Sequence, residues 1–434
     1  MRKTALAALA AATMLGAVGA GPALADLNFP SLSYRTGPYA AGGIPFADGY
    51  ADYFTMLNER DGGIGGVMTR VPECETAYDT TRGVECYEQI RGDNPLVLQP
   101  LSTGITYQLI PRVTEDGIPL HTMGYGRTSA ADGTTFEWVF NYPGTYWDAA
   151  SIIVTYLLEE NGGSLDGKSI ALVYHNSAYG KEPIRTLEEL AEKYGFTLTT
   201  IPVDSPGQEQ KSQWLQIRRE RPDYVLMWGW GVMNQVAITE AANVGYPMEN
   251  FIGVWWSGAE PDVLPAGAGA DGYKSINFTG VGTDYPFYAD LRTHVIDAGK
   301  GAGDGTSVGT VQYNRGIYAA MLAAEAARTA QEIHGVAEIT PAQMRDGMEA
   351  LSLDGARLEE LGMAGFGPEV QVTCANHRGP GVGQMQQWDA GAQKWVQLTE
   401  FIAADDSVIQ PLIEEDAAAF RAESGVEPRE CPAT

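Results

Sequence analysis

The sequence has few basic residues and few histidines. It contains 28 Lys and Arg against 55 Asp and Glu, a formal net charge of −27 at neutral pH. This charge repels nucleic-acid phosphates and anionic lipid surfaces, so we expect neither as a partner. The five histidines are scattered, with no H-E-x-x-H motif and no paired spacing. We therefore expect no metal site, and nothing in the sequence calls for a cofactor.

Cysteine is also scarce, with four residues in 434. They are Cys74, Cys86, Cys374 and Cys431, and none has the C-x-x-C spacing of a zinc site. In an oxidising compartment an even number predicts disulfides. Cys74 and Cys86 close a short loop, so we pair them, and Cys374 pairs with Cys431 by elimination. The second bridge would tether the C-terminal tail, residues 401–434, although three pairings remain possible.

Long apolar runs are missing beyond the N-terminus, so no later segment is expected to span a membrane. Residues 1–25 have the form of a signal peptide: Arg2 and Lys3, a short apolar run, and the cleavage pattern Ala23-Leu24-Ala25. No cysteine follows that could carry a lipid anchor. We therefore predict an exported soluble chain, cleaved near Ala25.

Strand-like and helix-like segments alternate along the mature chain, which predicts parallel β-sheets flanked by helices. About 400 residues exceed what one hydrophobic core usually supports, so two lobes are expected. The predicted strands lie within 94–101, 117–124, 168–175, 222–230 and 250–256. The predicted helices lie within 50–63, 146–163, 184–195 and 232–245, and the segment beyond residue 401 is predicted to be loop.

Aromatic residues collect where predicted strands end. Trp228 and Trp230 follow one strand, Trp255 and Trp256 another, and Tyr125 a third. Ligands of parallel α/β sheets bind beyond the carboxyl ends of the strands, so these rings could line a cleft. The alternative is that they only cap the hydrophobic core.

A G-x-S-x-G motif at Gly305–Gly309 would make Ser307 a hydrolase nucleophile. That chemistry needs a strand before the serine, a helix after it, and acid and histidine partners. Here the motif follows the flexible sequence KGAGD. We therefore expect no enzyme, with a secreted serine hydrolase as a weak alternative.

Several segments together resemble periplasmic solute-binding proteins of the leucine/isoleucine/valine-binding type. The opening LSYRTGPYAAGGIPFADGYADYFTMLNERDGGIGG has their strand, T-G-P turn, helix and closing G-G-I-x-G turn. Five further segments follow in the same order as in that family: LVLQPLSTG (96–104), EDGIPLHTMGYG (115–126), ALVYHNSAYGK (171–181), PDYVLMWGWG (222–231) and FIGVWWSG (251–258). VQYNRGIYAAMLAAEAA (311–327) and the segment 376–397 complete a likeness that covers nearly the whole mature chain.

The resemblance implies a type I periplasmic-binding-protein fold, in which two α/β lobes close on a small molecule. Lobe 1 would hold residues 26–140 and 278–365, and lobe 2 residues 141–277 and 366–400. Three crossovers would lie near Phe140–Asn141, Asn277–Gly280 and Phe366–Gly367. Such a protein works in the periplasm as a monomer without catalysis. It delivers solute to the permease of an ABC importer, which has cytoplasmic ATPases.

The resemblance also implies a ligand site. Hydroxyls and backbone N–H groups would hold the ligand carboxylate, and these belong to Ser102, Thr103, Gly104, Gly124, Tyr125 and Gly126. Tyr179 and Trp230 correspond to aromatic residues of the second lobe. Trp255 stands where amino-acid binders place the acid that meets the ligand ammonium, and Gly42 stands where they place a tyrosine.

These departures favour an aromatic or hydrophobic acid over an amino acid. Trp230 and Trp255 would stack on the ligand, and Trp256, pointing the other way, would pack under the sheet. Glu260 and Asp262 lie only a few residues further on and could still supply an ammonium partner. A branched-chain amino acid or a small amide therefore remains an alternative ligand, and a sensor that partners a membrane receptor remains an alternative role.

Overall fold

The computed structural model describes residues 25–432. The predicted signal peptide lies outside this range apart from Ala25. The α-helices are Ala40–Asp61, Thr80–Ile90, Thr103–Asp116, Tyr146–Glu160, Ala178–Lys181, Ile184–Tyr194, Lys211–Glu220, Val232–Val244, Glu260–Val263, Phe287–Leu291, Val311–His334, Pro341–Glu349, Gly355–Glu360 and Asp406–Ser424. Short 3₁₀ segments include Thr128–Ala131 and Trp255–Ser257.

The larger sheet has eight strands. Five pair in parallel, in the spatial order Lys274–Asn277, Phe251–Gly253, Tyr224–Trp228, Ser169–His175 and Thr197–Val203. Val382–Asp389 joins Lys274–Asn277 in antiparallel orientation, and its other partners are Lys394–Gln397 and Ile402–Ala403. Residues before 278 and residues after 381 therefore contribute strands to the same sheet.

A second parallel arrangement is built from shorter strands. Its parallel pairs are Leu27–Asn28 with Thr69–Arg70, Ser31–Ser33 with Glu73–Glu75, and Leu120–His121 with Val139–Phe140. Single parallel bridges at Pro95, Leu98 and Gln99 connect these pairs. The predicted strand within 94–101 thus occupies a strand position but makes only isolated bridges. An additional antiparallel pair joins Ser352–Leu353 to Val370–Gln371.

Two long helices, Ala40–Asp61 and Val311–His334, pack closely against each other. A Cβ atom at Gly49 would lie 2.1 Å from the Tyr313 carbonyl oxygen, and one at Gly316 would lie 2.1 Å from the Phe46 carbonyl oxygen. Only glycine permits this approach at both positions. The crossing fixes the start of Val311–His334, which carries the buried Arg315, near the strand ends of the larger sheet.

The predicted class, parallel α/β sheets flanked by helices, is confirmed. The four predicted helices are present, although the first begins earlier, at Ala40. The disulfides Cys74–Cys86 and Cys374–Cys431 are both formed, with Cα–Cα distances of 5.8 and 5.6 Å. Within the described residues, none of the helices combines the length and apolar character that a membrane span needs.

The prediction of a loop beyond residue 401 is wrong. Ile402–Ala403 is a strand, and the 19-residue helix Asp406–Ser424 follows it, capped by the Asp405 side chain. Asp405 accepts a hydrogen bond from Tyr194 Oη at 2.7 Å, and Asp416 accepts one from Arg127 Nη2 at 2.6 Å. The tail therefore lies folded against both halves of the chain as well as being tethered by a disulfide.

Candidate functional site

A cavity with about 250 Å³ of empty space lies between the two sheets, at the carboxyl ends of their strands. Tyr34 follows Ser31–Ser33, Trp230 follows Tyr224–Trp228, and Trp256 follows Phe251–Gly253. The lining residues are Tyr34, Tyr78, Leu101, Ser102, Thr103, Tyr125, Tyr146, Tyr179, Trp230 and Trp256. Seven of them are aromatic, and none carries a charge.

The N-terminus of the 14-residue helix Thr103–Asp116 faces this cavity. Ser102 is its N-cap, and the Ser102 hydroxyl accepts a hydrogen bond from the Ile105 N–H at 3.3 Å. The Thr103 hydroxyl accepts one from the Gly126 N–H, also at 3.3 Å. Unsatisfied N–H groups and the helix dipole make such a terminus favourable for an anion. Gly104 lies one residue further into the helix, where a Cβ atom would be 3.1 Å from the Thr80 hydroxyl.

Two lining residues have left-handed backbone conformations, Tyr78 with φ of 63° and Leu101 with φ of 44°. Non-glycine residues adopt this region only where surrounding contacts enforce it, and such positions concentrate at functional sites. At Leu101 the enforcing contact is visible, because its N–H donates to the Tyr125 hydroxyl at 2.8 Å. Tyr125 therefore holds the turn that presents Ser102 and Thr103.

A buried chain of polar groups supports Tyr125. Its hydroxyl donates to Gln99 Oε1 at 3.2 Å, and the Gln99 amide lies 2.9 Å from His121 Nδ1. His121 Nε2 lies 3.0 Å from the Tyr142 carbonyl oxygen. Burial lowers the pKa of His121 to about 4, so the ring is neutral at physiological pH. His121 supports the cavity from behind, since it is not among the lining residues.

On the opposite side, Tyr179 is held by the Gly229 carbonyl oxygen. The Tyr179 hydroxyl donates to that oxygen at 2.7 Å, and the Ser257 hydroxyl donates to it at the same distance. Ser257 also accepts from the Gly229 N–H at 3.2 Å. These bonds join the ends of two neighbouring strands and fix the aromatic rings that follow them.

The two adjacent tryptophans have the reverse of their predicted orientations. Trp256 lines the cavity, whereas Trp255 is fully buried against Phe278 and Tyr146. The prediction relied on the alternation of side chains along a strand. The strand ends at Gly253, and Trp255–Ser257 form a 3₁₀ turn in which that alternation does not apply.

Both indoles nevertheless point to one atom, the Gly124 carbonyl oxygen. Trp255 Nε1 donates to it at 2.7 Å and Trp256 Nε1 at 3.1 Å. Gly124 has φ of 69°, and a Cβ atom there would lie 3.0 Å from Trp255 Nε1. Gly124 thus positions both tryptophans by its backbone and does not itself line the cavity.

Trp230 occupies space that Gly42 leaves open. A Cβ atom at Gly42 would lie 2.4 Å from Trp230 Cη2. The Trp230 side chain is 4% exposed, and Nε1 has no hydrogen-bond partner among the described residues. The larger ring at position 230 and the missing side chain at position 42 therefore compensate each other.

Gly42→Ala is expected to weaken ligand binding at least tenfold, because the new methyl group would push Trp230 into the cavity. Helix propensity changes in the opposite direction, since alanine stabilises a helix interior by roughly 0.5–1 kcal/mol over glycine. Calorimetric titration of Gly42→Ala with the aromatic acids expected from the sequence checks the first effect, and thermal unfolding checks the second. Trp230→Phe in the same chain should restore part of the affinity. Equal affinity of Gly42→Ala and the parent would contradict the contact.

The two acids considered as ammonium partners do not reach the cavity. The Glu260 carboxylate accepts from the Val311 N–H at 3.0 Å, and Asp262 accepts from the Ala259 N–H and from Asn234 Nδ2 at 3.0 and 3.1 Å. Burial raises the pKa of each carboxyl to about 7. Glu260 thus binds the start of the helix Val311–His334, and Asp262 binds Ala259 and Asn234.

Ser307 lies in an irregular segment between Ile296 and Val311 that contains no strand. The strand-turn-helix geometry of a nucleophile elbow is therefore not formed at Gly305–Gly309. No cluster of three His, Cys, Asp or Glu side chains that could hold a metal occurs within residues 25–432.

Two parallel sheets with an aromatic cavity at their strand ends define a small-molecule-binding protein. The chain belongs to the periplasmic binding protein family, whose sequence profile matches residues 27–393. This is the family of ABC-transporter substrate-binding proteins.

Solved structures extend this comparison. A protein from the Pseudomonas fluorescens group, described as an ABC transporter permease, is 41% identical, with a TM-score of 0.87 over 95% of this chain and 100% of its own. A branched-chain amino acid ABC transporter from Thermus thermophilus with bound valine is 20% identical, with a TM-score of 0.75 over 89% and 98%. A solute-binding protein from R. palustris in complex with benzoate is 18% identical, with a TM-score of 0.66 over 88% and 98%. The similarity to the latter two structures shows the fold alone. A search of curated proteins gave no match.

Proposed function

We propose that this protein binds a small hydrophobic carboxylate, aromatic or cyclic, and delivers it to an ABC importer. The observation that carries the proposal is the chemistry of the cavity: a helix N-terminus at one end, aromatic rings around the rest, and no acidic side chain on its surface. A carboxylate suits the helix N-terminus, and a flat apolar body suits the rings.

The carboxylate is proposed to lie against Ser102 and Thr103. The first N–H groups of Thr103–Asp116 point out of the helix there, and the two hydroxyls flank them. Gly126 and Tyr125 support this end through their bonds to Thr103 and Leu101. Of the residues proposed from sequence, Gly104, Gly124 and Gly126 are assigned supporting positions behind the cavity surface.

The ligand body is proposed to lie between Tyr179, Trp230 and Trp256. The space that these rings enclose is narrow, so the ligand is proposed to be small. An α-ammonium group would find no carboxylate within the lining. Burying that charge without a partner is unfavourable, and this argues against a branched-chain amino acid.

Delivery implies closure of two lobes in the periplasm, followed by docking on a permease with cytoplasmic ATPases. The proposed lobes are residues 26–140 with 278–365, and 141–277 with 366–400. Hydrogen bonds connect them around the cavity, including Tyr39 Oη to His175 Nε2 at 2.9 Å and Tyr107 Oη to Glu182 Oε1 at 2.7 Å. These bonds support the proposal that the structure is the closed arrangement of this cycle.

Leucine and 4-methylpentanoate test the proposal because they differ only in the α-ammonium group. We expect 4-methylpentanoate to bind at least thirtyfold more tightly, a difference of about 2 kcal/mol. Isothermal titration calorimetry of the mature protein measures both affinities. Benzoate extends the series to a flat ring and should bind at least as well as 4-methylpentanoate.

Tighter binding of leucine would contradict the proposed ligand class and favour the branched-chain amino acid alternative. Mass spectrometry of the small molecules that co-purify with protein from its native periplasm provides an independent measurement. A co-purified carboxylic acid without an amino group is the expected result. Recovery of a receptor kinase in place of permease subunits in a crosslinked pull-down would instead support a sensing role.

A further inference from the structure

Arg315 is a fully buried arginine immediately behind the cavity. It lies in the first turns of the helix Val311–His334, and it is not among the lining residues. Its guanidinium carbon lies 4.7 Å from the centre of the Trp256 ring and 4.8 Å from that of Phe278. Trp256 lines the cavity, so its indole contacts both the guanidinium and the ligand space.

Neutral oxygen atoms, not carboxylates, are the hydrogen-bond partners of Arg315. Its Nη1 group donates to the Trp255 carbonyl oxygen, and Nη2 donates to Asn277 Oδ1 at 2.8 Å. The Nε group has no hydrogen-bond partner, and none of the ion pairs of up to 4.0 Å among the described residues includes Arg315. A buried cation without an ion pair is costly, so its charge remains available to stabilise an anion nearby.

Two buried acids compensate this charge only from a distance. Burial lowers the pKa of Arg315 to about 9, while the charges of Asp262 and Glu260 raise it, so the group stays protonated at neutral pH. Burial raises the pKa of both acids to about 7, and each is therefore only partly ionised there. Burial raises the pKa of the cavity residue Tyr179, the charge of Asp262 raises it further, and the smaller effect of the Arg315 charge lowers it.

We propose that Arg315 is the residue that selects an anionic ligand, acting through Trp256. This inference rests on the proposed function and names the source of its charge preference. The aromatic lining alone would also suit a cation, because Tyr and Trp faces attract ammonium groups. Arg315 already occupies one face of Trp256 and repels a second positive charge, whereas a carboxylate in the cavity is attracted.

The test compares ligands that differ in charge but hardly in shape. Two acid–amide pairs are used: benzoate with benzamide, and 4-methylpentanoate with its primary amide. Each compound is titrated into the parent protein, Arg315→Met and Arg315→Lys. In the parent, each acid should bind at least thirtyfold more tightly than its amide. Arg315→Met should reduce that ratio at least tenfold while changing amide affinity less than threefold. Arg315→Lys, which keeps the charge, should retain the ratio within threefold.

A role limited to positioning Trp255 and Trp256 would weaken acids and amides equally, so an unchanged ratio in Arg315→Met would overturn the inference while leaving the carboxylate proposal intact. A parent protein that prefers the amides, or binds none of the four probes, would contradict the carboxylate proposal and this inference with it. Circular dichroism establishes that each variant is folded.

Glu260→Gln provides a second test that does not require removal of the buried arginine. Glutamine keeps an acceptor for the Val311 N–H but removes a negative charge that compensates Arg315. The acid-to-amide ratio should therefore rise two- to fivefold at about pH 8, where the parent carboxyl is mostly ionised. A ratio that stays constant or falls would overturn the inference even if Arg315→Met does not fold.

Discussion

Trp256→Ala is expected to weaken benzoate binding by about 30- to 1,000-fold, the range for loss of a central aromatic contact worth roughly 2–4 kcal/mol. Trp256 is a cavity residue on which Tyr125 and Trp230 pack edge-to-face, at centroid distances of 5.7 and 5.5 Å. Removing the indole opens the cavity towards Arg315 and deprives the ligand of an apolar surface. Calorimetry on the folded variant measures the loss.

Trp255→Ala is the matched control, because the two residues are adjacent and donate to the same Gly124 oxygen. Trp255 is fully buried away from the cavity, so its removal should lower the free energy of unfolding by about 3–5 kcal/mol. Affinity per folded molecule should change less than tenfold. Urea unfolding and calorimetry separate the two effects. If Trp255→Ala loses more affinity than Trp256→Ala, the assignment of the ligand contact to Trp256 is contradicted.

The sequence predicted the class of fold and the edge of the sheets at which the cavity lies, because both follow from simple periodicities. Apolar runs bounded by glycine predict buried strands, and ligands of parallel sheets bind beyond their carboxyl ends. Of the proposed ligand residues, Ser102, Thr103, Tyr125, Tyr179 and Trp230 do lie together on the cavity surface. Whether they bind the ligand remains a prediction.

What the sequence did not predict depends on local geometry at chain reversals. The exchange of Trp255 and Trp256 follows from a single 3₁₀ turn, and strand alternation gives no sign of it. Tyr34 and Tyr78 were missed because each lies just outside an element whose end could not be located from periodicity. Tyr146 begins a helix that was predicted from 146, but the pattern does not show that this end of the helix faces the cavity. The left-handed backbone of Tyr78 is set by tertiary contacts, since tyrosine has no local preference for it.

Arg315 was missed for a different reason. An arginine near the start of a helix, beside polar residues such as Gln312 and Asn314, is usually interpreted as a surface residue. Its burial depends on the close crossing with Ala40–Asp61 at Gly49 and Gly316 and on acceptors from Trp255 and Asn277. The partners are 38 to 60 residues distant in sequence, so no local pattern contains them.

Glu182→Gln is expected to stabilise the protein by about 2–3 kcal/mol at pH 8 and much less at about pH 5. Glu182 is 9% exposed, and its carboxylate accepts from Tyr107 Oη at 2.7 Å and Thr128 Oγ1 at 2.9 Å. Burial raises its pKa from 4.5 to about 7, although these two hydrogen bonds lower it. Nearby, the charge of Asp416 raises the pKa and that of Arg127 lowers it.

The direction of this pH dependence follows from proton binding to Glu182. Between about pH 4.5 and 7 the folded state holds a proton on Glu182 that the unfolded state releases, so this residue costs stability progressively as the pH rises through that interval. Glutamine cannot ionise, and hydroxyl groups can rotate to meet its amide, so the variant avoids that cost while keeping the contact between Tyr107 and Thr128. Urea unfolding at several pH values measures the difference in free energy of unfolding between parent and variant. Taking this difference removes the contributions of all other carboxylates.

Glu189→Gln, at an exposed position on the following helix, is the control and should show no such trend. A constant difference between parent and Glu182→Gln from pH 5 to pH 8 would mean that Glu182 is ionised throughout, with its charge already compensated by the donors across the cleft.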